Sequence, residues 1–104
     1  MNYVYLLRCA DGSLYCGWTT DLVRRLNEHN RGKGAKYTRS RLPAELIYYE
    51  IYEDRHEALS REWHLKRMSR KEKNLLISSK AQQSDIPDNQ RNSYENPYFR
   101  QQEK

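Results

Sequence analysis

Residues 3–29, YVYLLRCADGSLYCGWTTDLVRRLNEH, leave few folds open to this chain. Aromatic, β-branched and leucine side chains fill Tyr3 to Cys9, the composition of a pleated, half-buried strand. Ala10-Asp11-Gly12-Ser13 reads as a turn, because Asp-Gly supplies the backbone conformations a hairpin connection needs. Ser13 to Trp18 returns as a second strand, and Gly17 inside it marks close approach of another backbone or a ligand. Thr19 or Thr20 then caps a helix, with Asp21 in its first turn at the positive end of the dipole. Leu22 and Leu26 lie one turn apart and face inward. Arg25 and His29 share a neighbouring stripe. A hairpin that feeds straight into a helix thus sets tyrosines beside an arginine and a histidine.

The rest of the chain supplies a third strand and more helix. Gly32 and Gly34 break the first helix, and Ala35 to Leu42 holds one short helical turn. Lys33, Lys36, Arg39 and Arg41 cluster around Tyr37, a pattern suited to phosphate contact with base stacking, or to a merely solvated loop. Beyond Pro43, Ala44 to Glu53 is a strand in which Leu46, Tyr48 and Glu50 alternate with Ile47, Tyr49 and Ile51. Its apolar density predicts a central strand covered on both faces. Asp54 caps a helix from Arg55 to Met68, on which Ala58, Glu62 and Leu65 share a face. A carboxylate beside that apolar stripe calls for a metal, hydrogen bonds or a cation, and Lys66 stands one turn on. Ser69 and Glu72 form a capping box for a last helix, Ser69 to Lys80, anchored by Leu75, Leu76 and Ile77.

Strands followed by helices in so short a chain predict one α+β domain, a single sheet with helices over residues 1–80. Residues 81–104 are rich in Gln, Asn, Ser and Pro and poor in aliphatics, so a disordered tail is expected, with Tyr94, Tyr98 and Phe99 as a short docking motif for a protein partner. The net charge of +5 is carried before residue 81, which points to a polyanion, nucleic acid before anionic lipid. Cys9 and Cys16 are too few for a zinc site and are expected as reduced thiols. No apolar run is long enough to span a bilayer and no leader pattern opens the chain, so a cytoplasmic monomer is expected.

With these residues in place, Asn2 to Ile77 resembles the GIY-YIG nuclease superfamily, most closely its small stand-alone bacterial members of the YhbQ/YazA type. Tyr3-Val4-Tyr5 stands at the first signature triplet and Tyr15-Cys16-Gly17 at the second. Tyr3 replaces the first glycine, Cys16 the isoleucine, and Trp18 stands where repair members often carry lysine. The ordered set Tyr5, Tyr15, Gly17, Arg25, His29 and Glu62 is the more specific match, and Asn74 falls at a downstream asparagine of the excision-repair branch. The resemblance implies a three-stranded antiparallel sheet flanked by helices. It also implies hydrolysis of DNA phosphodiesters with one divalent metal, Mg²⁺ or Mn²⁺, held by Glu62. Arg25 would offset the charge on the phosphate. Tyr15 would position or deprotonate the attacking water, with Tyr5 and His29 orienting it. A nucleic-acid-binding module without chemistry, or an accessory subunit of a DNA-processing complex, is the alternative.

Overall fold

A computed structural model describes residues 1–79. The tail expected from Ala81 onward lies outside the described residues. Three antiparallel strands, β1 (Asn2–Arg8), β2 (Leu14–Thr19) and β3 (Glu45–Tyr52), form one sheet in the order β2-β1-β3. Helices α1 (Leu22–Asn30) and α2 (Lys36–Arg39) belong to one side of the sheet, and α3 (Arg55–Arg67) with α4 (Arg70–Ser79) to the other. The α+β class and the three-stranded sheet agree with the expectation.

The central strand is β1, not β3 as the apolar density of Ala44 to Glu53 suggested. Tyr3, Tyr5 and Leu7 join Leu22, Val23 and Leu26 in one core; Val4 and Leu6 join Ala58 and Leu65 in the other. A strand that feeds two cores must be apolar at every position, and Tyr3 to Leu7 is buried throughout. Each such Val or Leu contributes roughly 1.5–3 kcal/mol of burial. As an edge strand, β3 leaves Ile51 46% exposed.

Nor does β3 alternate strictly. Its register against β1 slips between Leu6 and Leu7, so that Leu6 faces Tyr48 but Leu7 faces Leu46. The bulge at Ile47 inverts the phase of the strand. Leu46 and Tyr49 turn to the α1 core, whereas Ile47 and Tyr48 both turn to the α3 core. Beyond the bulge Glu50 also faces α3, where it meets Arg61.

Local caps set where the elements begin and end. The N-cap of α1 is Asp21, whose carboxylate accepts from the Arg24 amide at 3.1 Å. Thr19 stays on β2, and its hydroxyl accepts from the Asp21 amide at 3.1 Å, so the cap falls on Asp21 and not on Thr19 or Thr20 as expected. Gly32, at φ +78, ends α1 and returns its amide to the His29 carbonyl. Asp54 caps α3 as expected, and Ser69 with Glu72 forms the reciprocal capping box of α4. On α4, Leu76 and Ile77 pack on the core but Leu75 is 63% exposed, so the anchor is narrower than expected. Both cysteines are buried and free.

Candidate active site

The α1 side of the sheet carries the polar constellation. Tyr5 and Gly17 are directly paired across β1 and β2, and the Tyr5 ring lies over the glycine. A Cβ at Gly17 would overlap the Tyr5 hydroxyl and sit 2.6 Å from its Cζ. Gly17 is therefore the floor on which Tyr5 rests, the close approach its position in a strand suggested. The Tyr5 hydroxyl lies 3.0 Å from Nε2 of His29, and both side chains are buried. Arg25, one turn before His29 on α1, forms a 2.9 Å ion pair with Glu28 and brings its charge near the Tyr5 oxygen.

His29 is enclosed from every direction. Nδ1 lies 2.8 Å from Oγ1 of Thr38 on α2. Gly34 packs on the ring so closely that a Cβ there would lie 2.7 Å from its Cγ. Tyr15, half-buried on β2, meets the ring edge-on at a centroid distance of 5.2 Å. Burial above all, with help from the Arg25 charge, pushes the His29 imidazole down to about 4, so it is neutral at pH 7. Burial and the nearby Tyr15 push the Tyr5 phenol up, so it keeps its proton. The pair is thus an uncharged donor and acceptor set against the permanent charge of Arg25.

This burial has a stability consequence. The unfolded imidazole titrates near ~6.5 and the folded one near 4, so the unfolded state binds more protons between them. The contribution of His29 is fully present above about pH 6.5 and is lost as pH falls toward 4, by up to about 3 kcal/mol. Urea midpoints at pH 7 and 4.5 check this. The wild type is expected to lose more on acidification than His29→Gln. Equal losses would mean the histidine is not buried neutral.

Tyr15 begins a stack that runs outward. Its ring lies 6.0 Å from that of Tyr37 at an interplanar angle of 23°. The Arg41 guanidinium sits 4.0 Å from the Tyr37 centroid and pairs with Asp11 in the β1–β2 turn at 3.0 Å. The ring surface of Tyr37, expected to receive a base, is therefore already engaged within the protein, and Arg41 is a clamp between turn and loop. Lys33, Lys36 and Arg39 remain exposed beside this stack.

Glu62 stands apart from this set. Its helix packs on the opposite side of the sheet, its backbone carbonyl accepts from the Cys16 thiol, and its carboxylate pairs with Lys66 at 3.3 Å. Burial first, then the Glu62 charge, pushes the Cys16 thiol up to about 12. Cys16 and Tyr15 are neighbours on the edge strand β2 that point to opposite sides. The Lys66 ammonium is held up by Glu62 against the cost of its partial burial. Among the described residues no three His, Cys, Asp or Glu side chains gather into a metal cage. A single, largely buried carboxylate suits an ion such as Mg²⁺, which keeps several waters and completes its shell with phosphate oxygens. Asn74 is exposed on α4, on the same side of the sheet as α3, and accepts from Arg70 at 3.2 Å.

Reading the residues alone missed Thr38 and Gly34. Both lie among the basic residues of the α1–β3 connection, where charge dominates the pattern. Their one available signal was the second glycine of Gly32-Lys33-Gly34, which the turn itself does not need: only Gly32 has a positive φ.

Residues 1–75 match the model of the GIY-YIG catalytic domain. The chain belongs to the GIY-YIG family, a nuclease superfamily. Within it the chain is similar to small UPF0213 proteins. One from Clostridium perfringens is 54% identical over 81 residues, covering 78% of this chain and 87% of that one. The solution structure of the UPF0213 protein BH0048 from Bacillus halodurans is 48% identical with a TM-score of 0.53, covering 78% of this chain and 87% of that one. The solution structure of EF2693 from E. faecalis is 45% identical at the same TM-score, covering 75% and 83%.

Proposed function

We propose that this protein is a metal-dependent endonuclease that hydrolyses phosphodiester bonds in DNA and serves repair or recombination. The observation that carries the reading is the joined set on the α1 side: Tyr5 on His29, the half-exposed Tyr15 against both rings, and Arg25 one turn before His29 on the same helix. Arg25 holds a fixed donor fork at the rim, suited to a phosphate and to the charge it develops in the transition state. Tyr5 and His29 are kept neutral by burial, and Tyr15 is the phenol nearest to solvent that can orient or deprotonate a water. Glu62 would hold the divalent ion, Mg²⁺ or Mn²⁺, which when bound polarises the phosphate and stabilises the leaving oxygen. Lys33, Lys36 and Arg39 extend the basic surface along which a DNA backbone would run. Residues 1–80 would constitute the catalytic unit, working as a monomer in the cytoplasm. Among the described residues, no helix is long and apolar enough to cross a membrane.

The Glu62–Lys66 ion pair favours a second reading, a DNA-binding module without chemistry, because that pair already satisfies the carboxylate. Cleavage of labelled single-stranded, duplex and branched DNA with Mg²⁺ or Mn²⁺ separates the two. The wild type is expected to cut, and Tyr15→Phe to cut about a hundredfold more slowly. Salt-sensitive binding without cutting by the wild type would replace the nuclease by the binding module.

A further inference from the structure

The buried hydrogen bonds behind Tyr5 run in one direction only. The Thr38 hydroxyl lies 3.0 Å from the Ala35 carbonyl oxygen, which can only accept and also receives the Thr38 and Arg39 amides. With its proton directed to that carbonyl, Thr38 Oγ1 accepts from His29 Nδ1, 2.8 Å away. The Ala35 amide points at the same nitrogen from 3.5 Å, a long contact that favours the opposite tautomer and competes with the shorter Thr38 one. With its proton on Nδ1, the neutral imidazole offers a lone pair at Nε2, and Tyr5 donates to it at 3.0 Å. That leaves the lone pairs of the Tyr5 oxygen facing the Arg25 charge, which Glu28 holds at 2.9 Å.

We propose that Thr38 is a positioning residue of this site: it holds His29 in the Nδ1–H tautomer, and through Tyr5 it sets the orientation of the Arg25 guanidinium. In the other tautomer Nε2–H would donate to the Tyr5 oxygen. The phenol proton would then have to turn toward the guanidinium, donor against donor. The tautomer lock stands on the geometry of Ala35, Thr38, His29 and Tyr5; its effect on turnover rests on the nuclease reading above.

Nitrogen-15 NMR of the imidazole reads the lock directly in the full chain. In the wild type at pH 7, Nδ1 of His29 is expected in the protonated, pyrrole-like region and Nε2 in the unprotonated, pyridine-like region. Thr38→Val keeps the shape but removes the acceptor, so the spectrum is expected to shift toward Nε2–H or a mixture. Thr38→Ser is expected to restore the wild-type pattern. Turnover under saturating DNA is expected to fall about tenfold in Thr38→Val and to recover in Thr38→Ser. A wild-type spectrum with Nε2 protonated, or a Thr38→Val spectrum identical to the wild type, overturns the proposal. If Thr38→Val does not fold, the wild-type and Thr38→Ser spectra decide it. The expected spectra in a protein that cuts no DNA would uphold the lock and remove the nuclease reading instead.

Discussion

Cleavage by Glu62→Gln is expected to fall more than about a thousandfold, since a divalent ion at a scissile phosphate supplies several kcal/mol of transition-state stabilisation. The substitution keeps the volume of the side chain and an oxygen that can still accept from Lys66, so the packing of α3 over Cys16 is preserved. What is lost is the negative charge, and with it the affinity for a hard cation. DNA binding should survive, because the basic surface around Lys33, Lys36 and Arg39 is on the other side of the sheet. Two measurements check this: a cleavage time course in Mg²⁺ and in Mn²⁺, and the Mn²⁺-induced relaxation of water protons. Cutting at the wild-type rate would remove Glu62 from the site. That is a sharp test here, because the helix of Glu62 packs on the opposite side of the sheet from Tyr15. Binding the ion would also loosen the Glu62–Lys66 pair. The pair that favours the binding-module reading would then be the resting form of an active one.

The hairpin and its following helix were legible because each rests on local chemistry. Asp11-Gly12 makes the turn, with Gly12 at φ +85, and Leu22 and Leu26 mark the buried stripe. The joined set of Tyr5, Arg25 and His29 was legible for the same reason, since all three lie on those two elements. Strand order was not legible. The apolar run Leu46 to Tyr49 looks like a central strand because a bulge at Ile47 sends two successive residues into one core, and no local signal announces a bulge. The surroundings of Tyr37 were not legible for a related reason. Its neighbours in sequence are basic, but its neighbours in space are Tyr15 and Arg41. Thr38 was overlooked because a threonine in a charged loop carries no signature until its partner, nine residues away on another helix, is known.

The same bulge creates the largest stability effect expected outside the site. Glu50, brought round to face α3, accepts from the hydroxyls of Tyr48 and Tyr52 and from Nε and Nη2 of Arg61, the last three at 2.7, 2.9 and 3.0 Å. Its side chain is only 12% exposed, and these donors hold the carboxyl below its ordinary range despite burial. Glu50→Ala would strand Arg61 and two phenols at once. Breaking a buried pair from one side costs about 3–5 kcal/mol, and with Arg61 30% exposed the loss here is expected toward about 3 kcal/mol. Replacing both charges leaves neither uncompensated, so Glu50→Met with Arg61→Met should lose less than the sum of the single changes. Urea unfolding of the two single variants and the double variant forms the cycle. Additive losses would show that the pair is no more than two independent surface charges. The cycle also bears on function. Arg61 precedes Glu62 on α3, so Glu50 anchors the helix that carries the candidate metal ligand. Cleavage by the double variant, measured where it is fully folded, then separates that anchoring from stability: a normal rate means that core packing of Ala58 and Leu65 alone positions Glu62, and a reduced one means that the polar clamp on β3 is needed as well.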